Sequence, residues 1–292
     1  MMKKKRNVLP YAMLIPGSVL MIALVFYPII VTFYYSLQHM KLTAPQDNRF
    51  VGLQNYQKIL SDSSFWYSLQ NSMVILVVVV VLTAVVGLAI ALLLNVDSKL
   101  NGVLTAIAII PWALPPIVNG VMWRWIFHPS FGFLNRLLLR LDLVEQPVQW
   151  LNSRWSIMLI ASLVVAWRNI PFCAVVTLSS LQAIPRQIYE SAVIDGSGTW
   201  QTFKHITLPL LVPSFGIVLT STSINAINVF DEIVSLSGYG DMSKNLMIDA
   251  YLRTFSFLDY GVGSALTYII MILAGILGLI YIRNVYREVS YL

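Results

Sequence analysis

Long stretches of this chain hold no charged side chain. Tyr11–Ser36, Met73–Leu94, Ile206–Phe230 and Ser264–Ile282 contain no Lys, Arg, Asp or Glu. Residues 103–126 and 156–181 are nearly as apolar and carry one charge each, Arg124 and Arg168. Apolar runs of about 18 residues or more read as membrane-crossing helices. The pattern therefore predicts six spans, at about 11–36, 73–94, 103–126, 156–181, 206–230 and 264–282. Between them lie shorter mixed segments. Gln54–Leu69 spaces Tyr56, Ile59, Leu60 and Trp66 among polar residues, which predicts a short helix at the membrane surface. The third span holds Pro111, Pro115 and Pro116. Proline removes a helix hydrogen bond and bends the chain, so this span is expected to be broken. Two readings of the break stand, a packed structural kink or the lining of a cavity.

Composition agrees. Hydrophobic residues make up 58% of the 292 and charged residues 11%, whereas a soluble domain carries about 25% charged residues. The fold class expected is an all-α integral membrane protein. An even number of spans puts both termini on one side. Lys3, Lys4, Lys5 and Arg6 directly precede the first span, and basic residues favour the cytoplasmic side. The first apolar run exceeds the ~7–15 residues of a signal-peptide core, so it is kept as a span. On this orientation the inner segments carry nine Lys/Arg and four Asp/Glu, and the longer outer loops eight and nine. Trp66, Tyr67, Trp123, Trp125, Trp150 and Trp155 fall near the outer boundaries, as aromatic belts do.

The net charge of +6 does not indicate nucleic acid, because no interleaved basic and aromatic stripe exists. One cysteine, Cys173, and three scattered histidines, His39, His128 and His205, suggest neither a disulfide nor a metal site. No glycine is followed by lysine, so the phosphate-cradling G-x-x-x-x-G-K-[ST] loop is absent. No nucleophile or acid–base constellation marks an enzyme. An ion-coupled transporter commonly uses Asp, Glu or His within its spans, and the six spans contain none.

The segment Ile184–Pro209 between the fourth and fifth spans is the most informative. Pro185 suits the first position of a helix carrying Ile188, Ala192 and Asp195 at helical spacing, and Gly196 suits its end. Ser197 or Thr199 is placed to cap a second helix near Trp200. The result is a short helix, a sharp turn and another helix outside the membrane, with an apolar face that needs a partner. Glu190, Ser191 and Ala192, then Gly196 after three residues, then Ile206, Leu208 and Pro209 after nine more, resemble the E-A-A, G, I-x-L-P pattern of the membrane subunits of binding-protein-dependent ABC importers. Ser191 in place of alanine is the one departure. Phe50–Tyr56, Pro111–Pro116, Trp123-Arg124-Trp125 and Val229–Glu232 resemble the carbohydrate-uptake branch of that family, without the large inserted outer domain of some maltose permeases.

The resemblance implies a type I importer permease with the MetI-like fold. It implies an N-terminal tail, first span and outer loop over 1–68, an ABC transmembrane type-1 domain over 69–282 with its coupling loop at 185–205, and a cytoplasmic tail over 283–292. It further implies a second homologous permease, two ABC ATPase subunits that bind the ATP and Mg, an extracytoplasmic sugar-binding protein, and no cofactor on this chain. Glu190, Ser191, Ala192, Asp195, Gly196, Ile206, Leu208 and Pro209 become the ATPase-coupling residues, with Asp195 open also to a turn-stabilising role. Candidates for the substrate pathway are the polar groups of spans three to five: Asn119, Arg168, Asn169, Asn225 and Asn228. A buried charge such as Arg168 faces protein or a water-filled cavity, which leaves substrate contact or pairing with the second permease. Asn225 and Asn228 share a helix face, where they either bind helices together or meet sugar hydroxyls.

Overall fold

A computed structural model describes residues 9–96 and 98–289. The basic cluster Lys3–Arg6 lies outside them. In chain order the helices are α1 Leu9–Met21, α2 Tyr27–Ser36, α3 Gln54–Leu60, α4 Ser63–Leu94, α5 Asn101–Ile109, α6 Pro116–Ile126, α7 Phe133–Arg140, α8 Arg154–Ala183, α9 Arg186–Ile194, α10 Thr199–Thr202, α11 Leu208–Ile227, α12 Asp231–Ser237, α13 Leu246–Tyr251 and α14 Tyr260–Val289. A minimal antiparallel ribbon pairs β1 Gln38–His39 with β2 Arg49–Phe50. Among the described residues, five continuous helical stretches are long and apolar enough to cross a membrane: Met13–Ser36, Ser63–Leu94, Arg154–Ala183, Thr199–Ile227 and Tyr260–Tyr281. The third predicted span is a broken pair, Asn101–Ala113 and Pro116–Ile126, bent by 99°.

The prolines account for the break. A residue before proline is driven to extended backbone. Leu114 and Pro115 each precede a proline, and their ψ angles are 132° and 140°. A subtler response occurs at two other prolines. The π-helical turns Ile22–Phe26 and Phe203–Thr207 each end two residues before a proline, Pro28 and Pro209. The widened turn makes room for a ring that an α-helical turn would crowd. Thr199–Ile227 therefore runs as one helical stretch from the loop after α9 into the fifth span. The expected surface helix at 54–69 is interrupted instead: α3 stops at Leu60 and the second span begins at Ser63, ten residues before the expected start.

The chain forms two compact units, residues up to Ser63 with Ala250–Ile269, and Ser64–Asp249 with the residues from Ile270 on. In the first, the Phe50–Tyr56 segment explains itself. Gly52 has a φ of +58°, so the strand can turn directly into α3. Asn55 then donates to Ser36 O at 2.9 Å and Gln38 O at 2.8 Å, and the Tyr56 hydroxyl meets Ser36 Oγ at 2.7 Å. Arg253 bonds Asp62 at 2.6 Å, and Tyr268 donates to Ile29 O at 2.6 Å. In the second unit α4 and α8 are joined at one end by Arg154, which donates to Asn71 Oδ1 at 2.8 Å and Gln70 Oε1 at 2.7 Å and lies 3.9 Å over the Tyr67 ring. Ala91, Leu181 and Leu211 pack α4, α8 and α11 together at the other end.

Candidate functional site

Helix α9 begins after Pro185, which takes the capping position one residue before the expected one. Its end is a complete Schellman turn. Ser197 N donates to Ala192 O at 2.9 Å and Gly196 N to Val193 O at 3.1 Å, closing the last carbonyls of the helix. Gly196 holds the required left-handed backbone with a φ of +78°. The cap of α10 is Gly198, not Ser197 or Thr199, and its N–H donates to Gln201 Oε1 at 3.0 Å.

The residue pattern at the loop now has physical content. Ala192 is the buried member of its triplet, while Glu190 and Ser191 are exposed. Glu190 and Asp195 have no ion-pair partner among the described residues. Tyr189 meets Thr207 Oγ1 at 3.3 Å, tying α9 to the start of the fifth span. Ile206 is half-buried; Leu208 and Pro209 are exposed. Val193, Ile194 and Trp200 present an apolar surface with exposures of 71%, 85% and 72%. Covering a side chain of this size gains about 1.5–3 kcal/mol. Behind the loop a cavity of about 390 Å³ is lined by Leu92, Asn95, Leu181, Tyr189 and Thr207 among others.

The polar groups of the spans divide into two sets. Asn119 is fully buried, donates to Val164 O at 3.0 Å, and so ties α6 to α8 rather than facing a cavity. Asn169 is also buried; it donates to Val165 O at 2.8 Å and accepts from Asn225 Nδ2 at 3.2 Å. Asn225 and Asn228 are exposed near the end of α11, and Asn228 has no side-chain hydrogen bond to a described residue. Arg168 has a counter-charge within this chain. Its Nε donates to Glu232 Oε1 at 2.8 Å, with the carboxylate buried in α12 and the guanidinium partly open. Gly120 of α6 faces Glu232 and Ser235 so closely that a Cβ would collide with both. Glu232 was not singled out in the sequence as a site residue. The signal available was Arg168 itself, because a cation within a span demands a counter-charge.

Residues 83–291 match the family described as binding-protein-dependent transport system inner membrane component. The chain belongs to that family. The trehalose/maltose transport system permease protein MalF of Thermococcus litoralis is 35% identical over 283 residues, covering 97% of this chain and 95% of that one. The sulfoquinovosyl glycerol transport system permease protein SmoG of Agrobacterium fabrum is 33% identical over 280 residues, covering 95% and 90%. Among solved structures, a bacterial ABC transporter involved in the import of the acidic polysaccharide alginate has a TM-score of 0.82 at 20% identity, covering 97% and 96%. That likeness establishes the permease fold.

Proposed function

We propose that this permease carries a sugar or sugar derivative across the cell (inner or cytoplasmic) membrane, with both termini in the cytoplasm, by ATP-driven alternating access. The observation that carries the reading is the α9–α10 loop, an apolar face held on a rigid Schellman turn, whose exposed residues include the carboxylates of Glu190 and Asp195. Its occupant is one of two ABC ATPase subunits, which bind ATP and Mg; this chain binds neither and hydrolyses nothing. The residues 190–196 and 206–209 pass ATPase motion to the spans of the 69–282 domain. A second homologous permease completes the pathway, and an extracytoplasmic binding protein delivers the substrate. ATP binding biases a two-state equilibrium toward the outward-open form, and hydrolysis releases it. The sugar class is supported by the names of the trehalose/maltose and sulfoquinovosyl glycerol relatives. Arg168, Asn225 and Asn228 are the pathway groups of this subunit, and Asn119 and Asn169 hold them in place.

The test is uptake of labelled trehalose and maltose into liposomes holding the complete importer, with its binding protein outside. Accumulation is expected only with ATP inside, and a protonophore should leave it unchanged. Uptake that ignores ATP and collapses with the proton gradient would overturn the reading.

A further inference from the structure

We propose that Glu232 is a positioning residue for transport. It holds Arg168 by Nε and so keeps the two terminal guanidinium nitrogens turned, as a fork, toward two neighbouring oxygen atoms of the passing substrate. The proposal rests on the placement of Arg168 along the pathway.

The carboxylate is itself held from behind. Glu232 lies in the first turn of α12, and its backbone abuts Gly120 of α6 so closely that no Cβ fits between them. Just before α12, Asn245 donates to Val229 O at 2.6 Å. Helix α6 in turn is pinned to α8 by Asn119, which donates to Val164 O at 3.0 Å, one turn before Arg168. None of these contacts involves the Arg168 side chain, so the anchor exists independently of what it holds. The Glu232 side chain is 4% exposed and that of Arg168 19%. The bond between them runs from Arg168 Nε to Glu232 Oε1 at 2.8 Å. Nη1 and Nη2 have no partner among the described residues, and neither is among the buried polar atoms left without one. Both therefore reach open space.

Stability alone does not call for an arginine at this position. A buried ion pair adds little over an apolar pair of the same size. A lysine ammonium would satisfy the same carboxylate, but as a point charge it offers no planar fork. With Nε engaged, the remaining N–H groups of Arg168 keep fixed directions and suit paired acceptors such as adjacent ring hydroxyls. Holding the side chain before the substrate arrives also removes the ordering cost that a loose arginine bears on binding.

The experiment measures maximal ATP-driven uptake of labelled maltose and trehalose in liposomes holding the complete importer, with its binding protein saturating outside. Arg168→Lys is the deciding variant, because it keeps an ion pair with Glu232 and loses the fork. It should assemble with an unchanged melting temperature and carry sugar about tenfold more slowly than wild type. Glu232→Gln keeps the shape but weakens the hold, and should slow uptake several-fold. The double variant Arg168→Gln with Glu232→Gln should be no slower than Arg168→Gln alone, since Glu232 acts through Arg168. Asp231→Asn removes the neighbouring charge, which makes no ion pair with a described residue, and should leave uptake at the wild-type rate. Wild-type uptake by Arg168→Lys, or a loss matched by a lower melting temperature, means that the pair serves structure alone and overturns the proposal. So does a loss in Asp231→Asn equal to that in Glu232→Gln, which would make the effect one of field rather than contact. In each of these cases the sugar reading stands. Absence of ATP-driven uptake of either sugar by the wild type overturns both.

Discussion

A left-handed backbone costs an ordinary residue about 1–2 kcal/mol, and asparagine much less. Gly196 adopts that backbone, yet among the described residues no atom beyond its own and those of its two chain neighbours lies within 4 Å of where its Cβ would be. The two facts separate a glycine required by its own turn from one required by a neighbour. Within this chain Gly196→Asn should be tolerated, with the Schellman bonds to Ala192 and Val193 kept. If the open space is where the ATPase approaches, the same change should leave membrane expression intact and lower recovery of ATPase on purification at least several-fold. ATPase recovery and sugar-stimulated hydrolysis equal to wild type would show that Gly196 serves only the turn. Sequence showed the position and the turn; it could not show that the chain leaves the space empty, because emptiness is a property of the packed molecule.

Among elements, the tightest seam is between α6 and α12. A Cβ on Gly120 would strike Ser235 Oγ and the backbone of Glu232, with Glu232 O only 2.6 Å away. Backbone cannot rotate aside, so Gly120→Ala should force the two helices apart and destabilise the complex by about 1–3 kcal/mol. The melting temperature of the detergent-purified importer reads this directly. Ser235→Ala should not rescue it, because the Glu232 carbonyl still blocks the site; a full rescue would mean that the side chain alone sets the spacing. What was legible at this scale follows from range. Apolar runs, the proline break at 114–116 and the turn at Gly196 are written in neighbouring residues, and the structure has all three. The α3–α4 interruption at Ser61–Asp62 and the π turns before Pro28 and Pro209 were not read, since each adjusts a helix by a few residues without changing its apolar pattern. Arg168 with Glu232, 64 residues apart, and Arg154 with Asn71, 83 apart, depend on which helices meet. One sequence carries no record of that.

At the scale of the whole molecule the first span decides how the chain is to be viewed. None of its most apolar stretch within Met13–Ser36 is buried inside the chain. The direction proposed for it across the membrane rests on charge. The short segments assigned to the cytoplasm hold nine basic and four acidic residues, while the longer outer loops hold eight and nine, an asymmetry in the sense that fixes orientation in most membrane proteins. Two exposed positions report on it. Asp241 is 93% exposed by its side chain and lies in a loop that the proposed orientation puts outside, and Ser98 is exposed in the turn between α4 and α5, which it puts inside. Cys173 is buried in α8, and Cys173→Ser removes it as a background thiol. In that background, Asp241→Cys should react with a membrane-impermeant maleimide in intact cells, and Ser98→Cys only after the cells are opened. Labelling of Ser98→Cys but not Asp241→Cys in intact cells would invert the protein. The α9–α10 loop would then face away from any ATPase, and the coupling role assigned to Glu190–Gly196 would fall with the orientation.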